Sequence, residues 1–233
     1  MLTIDDICAV RHTVTDWLSI VGGTAPPVPI YEIAGALNRP VVMVASAAGK
    51  LAERRERYGR AEIVVNTQAA GDPIVARRRR RFAVAHELMA LEFPEYGNAF
   101  GGDSERVYQQ LASELVLYRP WLEDCVGRRG WSLPDIVRDM DASWEATARA
   151  LLDLEECVLT IWDNAQMTAR VGSGDLCYPP GLLGAEYEAL AHAHDAWEER
   201  EAKDDLVRVH AWPVDPPGRH VKRVMAFTWA RAG

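Results

Sequence analysis

The hydrophobic period of this chain changes once along its length, and that single change narrows the folds open to it. Up to about residue 155 apolar residues recur at helical spacing, as in Val107, Leu111 and Leu115, with two short β-branched runs, Pro40 to Ala45 and Ala61 to Asn66, set among them. Beyond that point the texture is that of strands: Val158 to Trp162, Met167 to Val171, Leu206 to Trp212 and Val221 to Trp229, interrupted by a helix-like segment from Ala185 to Ala202. Helices and strands segregated in this way predict an α+β chain and not an alternating β-α-β one. The expected organisation is a mostly helical first domain with a small sheet, 1–155, and a small antiparallel α+β domain, 156–233. A chain of 233 residues is long enough to give each a buried core.

Within the first part, Ile7 to Ile20 reads as a helix, and the Gly22-Gly23 and Pro26-Pro27 breakers separate it from a second. The charged stretch Glu53-Arg-Arg-Glu-Arg-Tyr-Gly-Arg60 reads as an exposed connection between the two β-branched runs. A long helix is expected from about Ile74 to Leu91, ended by Pro94, and a glycine-rich loop from Gly97 to Asp103. Ser104, as N-cap, starts a helix to Tyr118. Ser132-Leu-Pro-Asp starts another that ends near Met140, and Ser143-Trp-Glu caps its neighbour, which runs towards Leu154.

Charge and cysteine content exclude several classes. Lys and Arg number 26 against 34 Asp and Glu, a net charge of −8, which argues against a surface built for nucleic acid. The four cysteines are scattered without C-x-x-C spacing and read as buried free thiols. No apolar run is long enough for a membrane helix. Asp5 and Asp6 stand where a secretory signal needs positive charge, so the chain reads as cytoplasmic, with no membrane partner.

The segment that carries chemistry is Arg81-Phe-Ala-Val-Ala-His-Glu-Leu-Met-Ala90. In H-E-x-x-H metallopeptidases two histidines four residues apart share a helix face and one zinc ion, and the glutamate deprotonates the metal-bound water. His86 and Glu87 occupy the first two motif positions, whereas Ala90 stands at the second histidine position and offers no donor. Glu92 cannot replace it, because six residues along a helix point about 240° away from His86.

This part of the chain resembles the ImmA/IrrE family of zinc-dependent metallo-endopeptidases. The matching segments are Pro27-Val-Pro-Ile, Ile63-Val-Val-Asn66, the Arg81 to Leu88 helix, Glu105-Arg-Val-Tyr-Gln-Gln-Leu-Ala-Ser-Glu-Leu-Val116, and the stretch Trp131 to Leu151, in the family's order and spacing. The resemblance covers about residues 25 to 155 and implies a zincin-like domain. It implies His86 and Glu105 as zinc ligands, Glu87 as general base, and the strand Ile63, Val64, Val65 and Asn66 as the place where a substrate adds as an extended segment. It departs from the family at Ala90, at Met89 in place of glycine, and at Tyr108-Gln109 in place of Ala-Asn. A further ligand, if there is one, would come from His192, His194, His210 or His220.

Two functions follow from the resemblance. One is a zinc peptidase that clips a helix-turn-helix repressor in mobile-element or stress regulation. The other is a non-enzymatic module of the same fold that holds such a repressor or a toxin partner, with zinc weakly bound or absent. A third reading, a DNA-binding regulator using residues 131 to 155, is disfavoured by Glu145, Asp153, Glu155 and Glu156 on the second helix of that pair.

Other features read as structural. The run Arg77 to Arg81 is expected to form a solvated face with local salt bridges, although cations near a helix start need compensation. The eight carboxylates from Glu186 to Asp205 predict an exposed acidic face, and His192-Ala-His194 points two ways on a helix.

Overall fold

The computed structural model describes residues 2–45, 50–68, 72–214 and 221–231. The chain is α+β and divides into two compact units, Met1–Ser143 and Trp144–Gly233. The division falls ahead of the expected position near 155 and places the two helices of the expected pair in different units.

The first unit begins with α1 (Ile4–Ile20), whose start is a capping box. The Thr3 hydroxyl accepts from the Asp6 amide at 3.1 Å, and the Asp6 carboxylate accepts from the Thr3 amide at 2.8 Å. After α2 (Ile30–Ala36) come β1 (Val41–Val44), β2 (Ala52–Arg57) and β3 (Arg60–Asn66). They form one sheet in the order β1-β3-β2, with β3 parallel to β1 and antiparallel to β2. The Glu53 to Arg60 stretch is therefore not an exposed connection. It is a strand and a two-residue turn, in which Tyr58 and Gly59 take φ of 52° and 72°, the positive values that tight hairpins require. Charge hid the strand, because β2 is an edge that needs little apolar surface.

Helices α3 (Pro73–Glu92) and α5 (Ser104–Val116) form the centre of this unit, with α4 (Pro94–Phe100) between them in sequence, and α6 (Arg119–Arg129) and α7 (Leu133–Met140) follow. The Gly97 to Asp103 segment is thus partly helical, and Ser104 is the first helical residue with Asp103 at the cap position. Val84, Ala85, Leu88 and Met89 of α3 and Leu111, Ala112 and Leu115 of α5 are fully buried, the helix-spaced pattern that joins two central helices. On its other side α5 is tied to α1: Arg11 grips Glu114 with two bonds of 2.7 and 3.0 Å.

The arginine run at the start of α3 is a solvated face only in part: Arg77 and Arg79 are exposed, whereas Arg81 is buried. Asp72 caps the helix, accepting from the amides of Ile74 and Val75 at 2.8 and 3.1 Å, so a carboxylate meets the positive end of the dipole. Arg77, Arg78 and Arg81 then converge on one carboxylate, Asp141, which follows α7 in a left-handed backbone conformation, φ 48°. Arg81 is buried and donates in addition to the carbonyls of Val28, Met140 and Asp141. Burial pushes the Asp141 carboxyl up, but the three guanidiniums outweigh it and hold the group below its ordinary value.

The second unit contains α8 (Trp144–Leu151), β4 (Val158–Asp163), β5 (Gln166–Gly172), α9 (Gly184–Ala196), β6 (Arg200–Lys203), β7 (Val207–Val214) and β8 (Arg223–Ala230). Among the described residues its five strands form an antiparallel sheet in the order β5-β4-β8-β7-β6. β6 takes the end of the segment expected to be helical to Ala202. α9 lies on one sheet face through Ala185, Ala189 and Ala193, which are one helical turn apart, set against Ala211, Ala226 and Val209. Small residues on both surfaces allow a close approach.

Glu186 corrects the expected exposed acidic face. It is fully buried, and its carboxylate accepts two bonds from Arg170 (2.9 and 3.0 Å), one from the Thr228 hydroxyl (2.7 Å) and one from the Leu183 amide (2.7 Å). The remaining carboxylates of α9 and β6 are exposed, as expected. The expectation of buried free thiols is borne out for Cys125 and Cys157 and corrected for Cys8 and Cys177, which are exposed.

Candidate functional site

The site resides on the middle of α3, where the chain turns three motif residues towards α5 and the sheet. His86 is held between two carboxylates: its Nδ1 lies 3.4 Å from Glu87 Oε1, and its Nε2 lies 3.3 Å from Glu105 Oε1. The structure thus brings together His86, Glu87 and Glu105, from α3 and the first turn of α5. The contacts differ in kind. His86 Nε2 is buried without a hydrogen-bond partner, so its approach to Glu105 is close but misaligned. Glu105 is 71% exposed and accepts a long bond, 3.5 Å, from Gln109. Glu87 is only 12% exposed.

Tyr108 closes one side of His86, edge-on to the imidazole with ring centroids 6.0 Å apart. Its hydroxyl donates to the Phe93 carbonyl at 3.4 Å and lies where a Cβ on residue 97 would sit, so Gly97 is the residue that admits it. The substitution of tyrosine at a position where the ImmA/IrrE resemblance expects alanine thus has a packing partner on α4. Met89, at the position of the expected glycine, is fully buried.

Arg54 is the site residue that sequence reasoning missed. On β2 it pairs in register with Ile63 of β3, so it shares the face on which Ile63 is buried. From there Arg54 Nε forms an ion pair with Glu87 Oε2 at 2.9 Å, and its Nη1 donates to the carbonyl of Ala90 at 3.4 Å. One guanidinium therefore spans the helical turn between the expected general base and the expected ligand position. The signal that could have revealed it was the Tyr58-Gly59 turn, which makes the preceding charged run a hairpin strand.

The substrate-binding expectation meets a different geometry. Ile63, Val64 and Val65 are buried, and Asn66 accepts through its side chain from the amide of Gln68 at 3.0 Å. β3 is paired on both edges, so an added strand has no place on it, and the edges of this sheet belong to β1 and β2 among the described residues. Glu92 forms an ion pair with Arg39 at 2.7 Å, away from His86 as expected.

A catalytic zinc takes three protein ligands and a water. The donors here are His86 and Glu105; Ala90 has none, is 1% exposed, and Glu87 is occupied by Arg54. Among the described residues no group of three or more His, Cys, Asp or Glu could hold a metal ion. His194 is engaged by Asp195, and His210 by Glu199 and Glu201, all in the second unit. His192 is exposed in that unit too, and His220 lies outside the described residues. Within the first unit the described residues supply two of the three protein ligands of such a centre, His86 and Glu105, and do not by themselves complete it.

No protein-family model and no curated protein matches the chain. Among solved structures the fold is similar to that of a Mycobacterium tuberculosis transcriptional regulator, with a TM-score of 0.63 at 13% identity, over 96% of this chain and 76% of that one. At that identity the likeness is one of fold. No helix among the described residues is long and apolar enough to cross a membrane.

Proposed function

We propose that this chain is a non-catalytic regulatory module on an ImmA/IrrE-type metallopeptidase scaffold, one that holds a protein partner of the helix-turn-helix repressor class without cutting it. The observation that carries this reading is the Arg54–Glu87 ion pair of 2.9 Å beside Ala90. A general base must present a free carboxylate to water, and here a guanidinium neutralises that carboxylate and also bonds to the backbone at the missing ligand. The cationic role that a metal plays in such a site is filled by the chain itself, and zinc is absent or weakly held. The neighbour named a transcriptional regulator supports regulation as the process, and the resemblance of residues 25 to 155 supports the class of partner. The same neighbour loosely fits a DNA-binding regulator too, and what weighs against that reading is that Arg149 of α8 is turned onto Glu145 at 3.0 Å.

The test is metal analysis of the chain purified from zinc-supplemented culture, followed by incubation with a helix-turn-helix repressor encoded beside it. The expected result is well under one zinc per chain and a repressor that is bound and intact. Stoichiometric zinc or a cleaved repressor would overturn the reading.

A further inference from the structure

β2 is an edge strand, and five consecutive residues on it are charged: Glu53, Arg54, Arg55, Glu56 and Arg57. Charge on an edge ordinarily blocks pairing with another chain. Which strands it blocks depends on which backbone groups point outwards. The amide of Asn66 bonds to the carbonyl of Leu51 at 2.9 Å, in phase with the β2–β3 register. Antiparallel ladders alternate bonded and non-bonded pairs. Glu53, Arg55 and Arg57 therefore turn their backbone groups to β3, while Arg54 and Glu56 turn theirs to the outer edge. An incoming antiparallel strand must bond at Arg54 and Glu56.

We propose that this strand is a second copy of β2, added antiparallel about a two-fold axis at Arg55. In that register Arg54 faces the partner's Glu56 and Glu53 faces the partner's Arg57. With the symmetric equivalents this gives four opposite-charge pairs around one Arg55 self-contact. The two that involve Arg54 share its guanidinium with Glu87. The two Glu53–Arg57 pairs, in which Glu53 exchanges its present Arg55 partner, are the ones that charge swaps probe. Every register that the backbone phase permits here has one like-charge self-contact, so the opposite pairs decide. Centring on Arg54 leaves only the two Glu53–Arg55 pairs, and centring on Glu56 sets Arg55 against the partner's Arg57 twice, where like charges directly opposite are unfavourable. A slip of one residue puts the backbone groups out of phase. The charges that repel a foreign strand thus admit the strand's own copy in one register. The contact is isologous and closes, joining two three-stranded sheets into one of six strands.

Sedimentation equilibrium of the full chain, from about 10 to 500 µM as suits a small interface, tests this. The expected result is a reversible dimer that high salt weakens. Glu53→Arg alone and Arg57→Glu alone each place like charges at two positions and weaken dimerisation at least about tenfold. Both positions lie on the surface away from His86, so circular dichroism stays native. Mixing the two variants restores a dimer, because each then carries the charge that the other requires. A native chain that is monomeric throughout the range overturns the proposal. A dimer indifferent to the swaps, or one that fails to recover on mixing, overturns it equally.

Discussion

Asp141→Ala removes the carboxylate on which three arginines of the first unit converge, and its cost follows from the different exposure of the three. Arg81 is 7% exposed at its side chain and Asp141 9%, so their 3.0 Å pair is a buried one. Removing one member of a buried pair leaves an uncompensated charge and typically costs about 3–5 kcal/mol. Arg81 retains three carbonyl acceptors, which places the expected loss near the lower end, about 3 kcal/mol. Alanine also fits the left-handed backbone at this position poorly, a further cost of about 1 kcal/mol. Arg77, by contrast, is 57% exposed, and Arg77→Ala should cost under about 1 kcal/mol. Asp141→Asn keeps the backbone preference and an acceptor while losing the charge, and should fall between them. Calorimetry reads these differences: for a unit of this size 3 kcal/mol lowers the melting temperature by roughly 6–12 °C. The pH profile gives an independent check. Because the folded-state pKa of Asp141 is depressed, its contribution is complete above the unfolded value near 3.8 and is lost as pH falls through the lower folded one. Asp141→Asn should lack that part of the acid loss. An Asp141→Ala protein within about 1 kcal/mol of the native chain would refute the view that this cluster holds α3 to α7.

Ala90→His should supply a third donor and raise zinc affinity at least about tenfold by calorimetric titration, since loss of even an outer partner costs that much. Ala90 is buried, so the imidazole should also cost about 1–3 kcal/mol of stability by overpacking. Arg54→Ala in the same background should raise zinc affinity further by freeing Glu87; no gain in either protein would mean that the site geometry has been misread. The native chain should show no submicromolar affinity for duplex DNA at physiological salt in an anisotropy titration, given its net charge of −8 and the pairing of Arg149 with Glu145.

The buried elements were legible in the sequence and the polar ones were not, for one physical reason. α3 and α5 bury one face, and burial writes a helical period into the chain; β4 and β8 are buried at consecutive residues, on both faces, and show as continuous β-rich apolar runs. β2 and α6 bury little: α6 has only Leu122 and Cys125 inside, and β2 only Ala52. β6 was absorbed into the preceding helix for the same reason. The site was half legible. His86 and Glu87 stand out by their motif and Glu105 by what the ImmA/IrrE resemblance implies, and the structure brings the three together. Arg54 reaches Glu87 from more than thirty residues away through a hairpin whose charges looked like solvent exposure. The arginine run misled in the opposite direction, because a charge run carries no mark of the single carboxylate, sixty residues on, that collects it.

Glu186 binds together pieces of chain that are remote in sequence. It caps the start of α9 through the Leu183 amide and reaches Arg170 on β5 and Thr228 on β8 with the same carboxylate. Such a helix cannot fray from its first turn without stranding Arg170, whose side chain is 6% exposed, beside an absent counter-charge. Nor can α9 complete its docking early in folding, since β8 is the last strand of the unit to be made and carries one of the three anchors. The opening of α9 and the opening of the sheet should therefore be one cooperative event, with the amides of both exchanging at a common rate although the helix lies on the outside of the sheet.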